Sequence, residues 1–408
     1  MTLGRLMMKT VFGALAGALM LSGAAMAQTA SAPVKMGLLS DLSSSFVAFD
    51  GPGSVEALRM AIEDFGGSAL GKPVELISAD HQNKADVAAA LAREWFDSRG
   101  VDSIFDVANS SIALAINTLA LEKKKLVLFT APINDGMTEA QCNGYGFGWV
   151  YDTYSQVRPA VNYTIKSKGI DTWFTMVPDY AAGHLMGDIA IETIKQNGGQ
   201  VLGSVRAPFN APDFSSFILQ AQGSKAKGLF TAMNGPDLIN LMKQLDEFGV
   251  RKTMVVTLNG IHDSDIKAIG ADKFKDIVVS TPWYWDLNDE TRAFAKRFEA
   301  KIGGKPGWIH AGTYSAGLTY LKAVKEAGTK DTDKVREALF KIKIDDMFAK
   351  NATLRPNGRL VHDHYRVRLK GAAEAKYPWD FEEVQAVIPA SEAYRPLSAT
   401  ACPLVKKS

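Results

Sequence analysis

Two short polar stretches, each at the end of a predicted strand, contain the residue types that hold a small anion. Asn109, Ser110 and Ser111 follow the predicted buried strand 104–107, and the stretch 130–135 follows the apolar run 126–129. Asn or Ser at such a position caps a helix, and the N–H groups of that helix start attract an anion. The alternative is that these residues only cap a helix.

The elements that must position these residues are strands and helices in alternation. Apolar strand-like runs and amphipathic helices alternate from residue 34 to residue 129 and again from residue 172 onward, which predicts parallel α/β sheets. Neighbouring parallel strands end at one rim, where ligands of open α/β sheets bind. The late helices and the leftover strands near 365–369 and 384–387 predict that the chain crosses repeatedly between two lobes, which forms a hinged cleft.

Enzyme motifs are missing from the sequence. The segment 312–317 has the wrong spacing for a nucleophile elbow, and no P-loop, dinucleotide-binding glycine motif or H-E-x-x-H is present. We therefore predict a protein that is not an enzyme and that uses no cofactor and no metal. An exported hydrolase of unrecognised type is the alternative.

The first residues predict export. Arg5 and Lys9 precede an apolar run at 11–25 and the sequence Ala25-Met26-Ala27, which is typical of a signal peptide at 1–27, cleaved near Ala27. Lys and Arg are scattered and the net charge is only +2, which argues against a nucleic-acid partner. The prediction is a periplasmic, monomeric protein.

The chain has two cysteines, Cys142 and Cys402. An even pair in an exported chain predicts a disulfide, which here ties the C-terminal tail to the loop after the second polar stretch. Two unpaired thiols are the alternative.

Further polar and aromatic residues occur in or beside the loops that follow predicted strands. Such a mixture is typical of a small-molecule pocket, although each aromatic ring could equally pack in a core. The candidates are Phe49, Thr130, Tyr180, Asn234, Asn259, Trp283 and Tyr314.

Four segments together resemble the periplasmic solute-binding proteins of branched-chain amino acid ABC importers, type I. They are V-K-M-G-L-L-S-D-L-S-S-S at 34–45, A-N-S-S at 108–111, F-T-A-P-I-N at 129–134 and V-P-D-Y-A-A-G at 177–183. The resemblance spans nearly all of the mature chain.

The resemblance implies two Rossmann-like doubly wound lobes joined by a three-crossing hinge. We place lobe 1 at 28–152 plus 283–353, lobe 2 at 153–282 plus 354–385, and a tail at 386–408. It also implies a carboxylate ligand trapped by hinge closure and an inner-membrane ABC permease as partner. A ligand-sensing module for a receptor is the alternative of another class.

The resemblance assigns the ligand carboxylate to Ser110 and to backbone groups of Ala131 and Ile133, and an aromatic contact to Phe49. The family's aromatic before the Gly of the D-Y-x-x-G motif is Ala182 here, which leaves Tyr180 as the nearby ring. Asn259 stands where the family has an acid that pairs with an amino acid's ammonium, and Asp263 or Asp265 could replace that acid.

A neutral amide cannot compensate a buried ammonium. We therefore predict an aromatic acid, such as a benzoate or a phenylpropanoid, as the ligand. Hydrophobic or branched-chain amino acids are the second candidate, and small amides or urea are the third.

Overall fold

The computed structural model describes residues 32–406, and the predicted signal peptide at 1–27 lies outside that range. The strands, in chain order, are β1 Lys35–Ser40, β2 Ser68–Ala69, β3 Lys72–Pro73, β4 Glu75–Asp80, β5 Ser103–Asp106, β6 Leu126–Phe129, β7 Gly146–Gly148, β8 Thr172–Pro178, β9 Gln200–Ala207, β10 Gly228–Thr231, β11 Val255–Leu258, β12 Val278–Thr281, β13 Thr353–Leu354, β14 Leu360–Val361, β15 His364–Leu369 and β16 Glu382–Ile388.

The helices are α1 Gly51–Phe65, α2 Ala85–Asp97, α3 Ser110–Lys123, α4 Thr153–Lys168, α5 Ala181–Gln196, α6 Ser215–Gly223, α7 Gly235–Glu247, α8 Asp263–Ile269, α9 Asp289–Ile302, α10 Trp308–Ala327, α11 Thr332–Leu339 and α12 Ala390–Ala393. In residues 32–406, none of these helices combines the length and the apolar character that a membrane crossing needs.

Two separate parallel sheets carry the fold. The first has the strand order β4-β1-β5-β6-β7, and the second has the order β11-β10-β8-β9. Strands β5, β6 and β10 are buried along their whole length, as expected for short apolar strands in sheets covered by helices. The predicted α/β fold with two doubly wound lobes is confirmed.

The chain passes between the lobes three times, so the predicted three-crossing hinge is confirmed. The crossings lie between β7 and α4, between β12 and α9, and between β14 and β15. The buried ring of His362, in the third crossing, lies 2.8 Å through Nε2 from the carbonyl of Val150 in the first. This contact holds two of the crossing segments side by side.

The exact lobe boundaries stay a prediction, and we revise one of them, the third crossing between the lobes. Residue 353, the predicted end of a lobe 1 segment, begins the hairpin formed by β13 and β14. Leu360 of this hairpin packs in the core of lobe 1, and Asn357 Nδ2 donates to the carbonyl of Thr138 at 2.9 Å. We therefore place the third crossing after this hairpin, at His362.

The helix α4 begins earlier than its sequence suggests. Pro159 favours a crossing segment at 149–159 with a helix only from residue 160, but α4 begins at Thr153 and continues through Pro159. Asp152 sets this start because its side chain accepts from the backbone N–H of Ser155 at 2.7 Å, in a capping box. The cap brings the first turn of α4 into the region between the two lobes.

The predicted disulfide between Cys142 and Cys402 is confirmed. Both residues are buried, and their Cα atoms lie 5.5 Å apart. Near this bond Thr400 Oγ1 donates to Glu139 at 2.9 Å. The C-terminal tail, which follows β16 and α12, is thus fastened to lobe 1.

Candidate ligand pocket

A pocket lies between the strand-end loops of the two lobes. It contains about 630 Å³ of space not filled by atoms, part of it continuous with solvent. Eight of the residues predicted from the sequence line it: Phe49, Asn109, Ser110, Ala131, Ile133, Tyr180, Asn234 and Asn259. The parallel register of β1, β5 and β6 places the first five on the same rim.

Four predicted residues lie outside this pocket. Ser111 is exposed on the surface of α3, and Thr130 is buried below the pocket, where its hydroxyl lies 2.7 Å from that of Thr313. Trp283 packs in the lobe 1 core with its indole N–H donating to a backbone carbonyl, and Tyr314 donates to Asp64. Both rings pack in the core of lobe 1.

The start of α3 and the loop after β6 form one polar end of the pocket. The side chain of Asn109, whose φ is +63°, accepts from the N–H groups of Ser111 and Ile112 and thereby caps α3. Within residues 32–406, the N–H groups of Ser110, Ala131 and Ile133 donate to no protein group. They are therefore available to an anion.

Ser110 and Tyr151 fix the shape of this end. The hydroxyl of Ser110 donates to the carbonyl of Ile133 at 3.0 Å, and the phenol of Tyr151 donates to the carbonyl of Ala131 at 2.6 Å. Both carbonyls are thus occupied. Ala131 and Ile133 then present unsatisfied N–H groups, while the carbonyl oxygens of the same two residues are occupied.

Three buried polar atoms on uncharged side chains of the pocket lining lack a hydrogen-bond partner within residues 32–406. They are the Oδ1 of Asn259, the Nε2 of Gln156 and the indole N–H of Trp308, on side chains at most 6% exposed. A buried polar atom without a partner is costly. These atoms can be satisfied by polar atoms of a ligand.

Sequence reasoning missed Gln156, Trp308, Tyr151 and His262. Gln156 and Tyr151 lie in or beside the segment interpreted as a crossing, where the capping box of α4 was the available signal. Trp308 begins α10 directly after Pro306-Gly307. This pair indicates the start of a helix but does not indicate a binding residue. His262 lies three residues beyond Asn259 in the loop before α8.

Asp50 is the one acidic residue of the pocket lining, and no Lys or Arg lines it among the residues that the structure describes. Burial, together with the nearby His310, lowers the pKa of His262 to about 3, so this ring is neutral at physiological pH. Asp263 and Asp265, the possible substitutes for a missing acid, do not line this pocket. The lining therefore offers an anion no cationic side chain, whereas the N–H groups of Ser110, Ala131 and Ile133 are available to it.

In residues 32–406, no cluster of three or more His, Cys, Asp or Glu side chains is arranged to hold a metal ion. The pocket lining itself combines one Asp and one His with amides, hydroxyl groups and aromatic rings. Its donor set suits hydrogen bonding and ring packing around a small organic molecule.

This chain resembles known periplasmic binding proteins. A sequence model described as periplasmic binding protein matches residues 33–375. A solved branched-chain amino acid ABC transporter periplasmic ligand-binding protein from Burkholderia xenovorans is 47% identical, with a TM-score of 0.84, over 91% of this chain and 99% of that one. A solved periplasmic binding protein from Burkholderia mallei is 41% identical, with a TM-score of 0.89, over 92% and 99%.

A curated relative is also a binding protein. The Leu/Ile/Val-binding protein homolog 6 of Brucella melitensis is 24% identical over 318 residues, which are 75% of this chain and 80% of that protein. The residues that the family model matches, 33–375, include both parallel sheets and the loops that line the pocket.

Proposed function

Because the chain belongs to the periplasmic binding protein family, we propose that it traps a small carboxylate between its two lobes, with an aromatic acid of the benzoate or phenylpropanoid type as its ligand. It is a type I binding protein of the branched-chain amino acid ABC importers. Such proteins bind a small molecule and deliver it to an ABC permease. Hinge closure on the ligand shifts the population from open to closed.

The observation that carries this proposal is the contrast between what the two lobes contribute to the pocket. Lobe 1 offers the N–H groups at the start of α3 and in the loop after β6, which suit a carboxylate. Lobe 2 contributes the neutral amide of Asn259, and among residues 32–406 no acidic residue of lobe 2 lines the pocket to pair with an ammonium. Aromatic rings, among them Phe49, Tyr180 and Trp308, line the space between.

A ligand of this size can bind tightly enough for import. A micromolar dissociation constant corresponds to about −8 kcal/mol. Spread over roughly ten heavy atoms, this is about 0.8 kcal/mol per atom, which is below the ceiling of about 1.5 kcal/mol for small ligands.

A second candidate ligand is a hydrophobic or branched-chain amino acid, and Asp50 favours it. If the carboxyl of Asp50 ionised when the ligand enters, it could pair with an α-ammonium group. Small amides or urea are a third candidate because Gln156 and Asn259 offer a donor and an acceptor. A ligand-sensing module for a receptor remains the candidate of another class.

A thermal-shift screen tests the proposal. Benzoate-type acids, leucine and a small amide are each added to the mature protein, and the melting temperature is measured. The proposal expects the largest rise from an aromatic acid, since a ligand that binds only the folded state stabilises it. A larger rise with leucine would reject the aromatic acid as ligand.

The proposal extends to the processing, location and oligomeric state of the protein. We propose that the mature chain begins after Ala27, acts in the periplasm and is a monomer. Mass spectrometry of the exported protein, together with its elution volume on size exclusion, tests all three points.

A further inference from the structure

Two buried carboxyl groups lie at the lobe 1 side of the pocket. Asp50, immediately before α1, lines the pocket and is 1% exposed, and Asp106 ends β5 and is fully buried. Neither oxygen of Asp50 has a hydrogen-bond partner within residues 32–406, nor has Oδ2 of Asp106. Only Oδ1 of Asp106 is satisfied, by the hydroxyl of Thr130 at 3.2 Å.

Among residues 32–406, the main groups that act on the pKa of Asp50 and Asp106 include no Lys or Arg. The hydroxyl groups of Ser40 on β1 and Ser54 on α1 lie in the same buried region; Ser40 lowers the pKa of both carboxyl groups and Ser54 lowers that of Asp106, but burial, which raises both pKa values, is the larger effect. The titratable groups that face Asp50 from the packed elements are Asp41 and Asp106 from lobe 1, Tyr151 from the first crossing and His310 from α10.

None of these groups supplies a positive charge near neutral pH. The carboxylate of Asp41 is satisfied by the hydroxyl of Ser44 and by backbone N–H groups. Burial lowers the pKa of His310 to about 4, so this ring is neutral and its Nε2 faces the backbone carbonyl of Asp50 at 3.1 Å. Burial, reinforced by Asp106, raises the pKa of Asp50 well above its ordinary range.

Asp50 shares its rim of the pocket with the proposed carboxylate anchor. In the sheet, β1 pairs with β5 and β5 pairs with β6, so the loop before α1 adjoins the start of α3 and the loop after β6. An ionised Asp50 on this rim would repel a carboxylate ligand. A protonated Asp50 would instead offer an O–H donor, which bonds strongly to a carboxylate.

We propose that Asp50 is a ligand-binding residue that donates a hydrogen bond from its protonated carboxyl group to the ligand's carboxylate, and that the neighbouring Asp106 disfavours ionisation of Asp50. The proposal rests on the proposed function, a carboxylate ligand at this rim. The ligand enters as an anion, the proton stays on Asp50, and no covalent bond forms or breaks. Above the pH at which the pair ionises in the empty protein, binding must take up a proton from solvent.

Calorimetric titration with benzoate between pH 5.5 and 9 tests this role. For the wild-type protein, the dissociation constant should rise by up to tenfold per pH unit above the ionisation of the pair. Titrations at pH 8.5 in two buffers of different ionisation enthalpy should show uptake of about one proton per ligand. This second measurement needs no variant and does not depend on how a variant folds.

Asp50→Asn supplies the decisive variant, since its amide donates a hydrogen bond but does not titrate. Its affinity for benzoate should vary less than threefold over the same pH range, without proton uptake. Asp265→Asn is the matched control, because Asp265 is a buried acid outside the pocket whose pKa is raised by burial to about 7. It should keep the wild-type pH profile.

The outcomes separate the two proposals. If no aromatic acid binds to the wild-type protein at any pH, the proposed function fails and this inference fails with it. If benzoate binds with an affinity that is independent of pH, without proton uptake, only the role of Asp50 is overturned. If Asp50→Asn binds benzoate with the wild-type pH slope, another group carries the proton and the role of Asp50 is likewise overturned.

Discussion

The rings of Phe49 and His262 stack face to face, with centroids 4.1 Å apart and an interplanar angle of 13°. Phe49 follows the first strand of lobe 1, and His262 follows the last strand of the parallel sheet in lobe 2. Phe46 and Phe209 make a second stacked contact between the lobes, with centroids 6.4 Å apart. The two lobes therefore touch through aromatic rings at the mouth of the pocket.

Phe49→Ala should weaken ligand binding about tenfold. The change removes a stacked pair worth about 0.5–1.5 kcal/mol beyond its buried area, and it removes a wall of the pocket. Calorimetry with the best ligand of the screen measures the effect. Phe217→Ala is the control, since Phe217 packs against the core of lobe 2 beside Phe214, away from the pocket. Equal losses of affinity in the two variants would contradict a role for the stack in closure.

Ser110→Ala should raise the dissociation constant for a carboxylate about five- to tenfold. The change removes the hydrogen bond from the Ser110 hydroxyl to the carbonyl of Ile133, and such a bond contributes about 1 kcal/mol. Without it, the loop that carries Ile133 is held less firmly. Ser111→Ala is the matched control on the adjacent, exposed residue. The affinities of both variants are measured by calorimetry at one pH. An unchanged affinity in Ser110→Ala would remove this residue from the anchor.

Gly260→Ala should weaken binding more than tenfold, because a Cβ there would collide with Oε1 of Gln156 and push this side chain out of its place. Gly223→Ala is the control, since no atom lies within 4 Å of its added Cβ and Gly223 is the last residue of α6. The control should leave binding unchanged and add up to about 1 kcal/mol to the free energy of unfolding. Wild-type affinity in Gly260→Ala would show that Gln156 does not contact the ligand.

The disulfide should stabilise the folded protein by about 3–5 kcal/mol, because it closes a loop with a sequence separation of 260 residues. Urea unfolding, followed by circular dichroism with and without a thiol reductant, measures this contribution. The double variant Cys142→Ser with Cys402→Ser should unfold at lower urea and should not respond to the reductant. Equal midpoints for the oxidised and reduced wild-type protein would contradict a stabilising role.

The lobe 1 half of the pocket could be predicted because it is built from contiguous motifs. Each of its strand-end loops follows its strand directly, so an alternating pattern of strands and helices places Ser110 and Ala131 on one rim. The disulfide was predictable for a similarly simple reason, since only two cysteines are present.

The rest of the pocket depends on tertiary packing that no local pattern reports. Trp283 and Trp308 are both tryptophans near the second crossing, yet only Trp308 lines the pocket, while Trp283 packs in the core of lobe 1. Trp308, at the start of α10, contacts the ring of His262 in lobe 2, with centroids 4.5 Å apart. No motif around Asp50 indicates a binding residue. Its proposed role depends on its burial beside Asp106, a residue 56 positions away in the sequence.

The most direct test of the central claim compares two ligands that differ in one group. 3-Phenylpropanoate and L-phenylalanine share a ring, a chain length and a carboxylate, and only the amino acid carries an α-ammonium. The mature wild-type protein is titrated with each by calorimetry at one pH. We expect 3-phenylpropanoate to bind at least tenfold more tightly, because the neutral Asn259 cannot compensate a buried ammonium. Tighter binding of L-phenylalanine would contradict the account and identify the protein as an amino acid receptor.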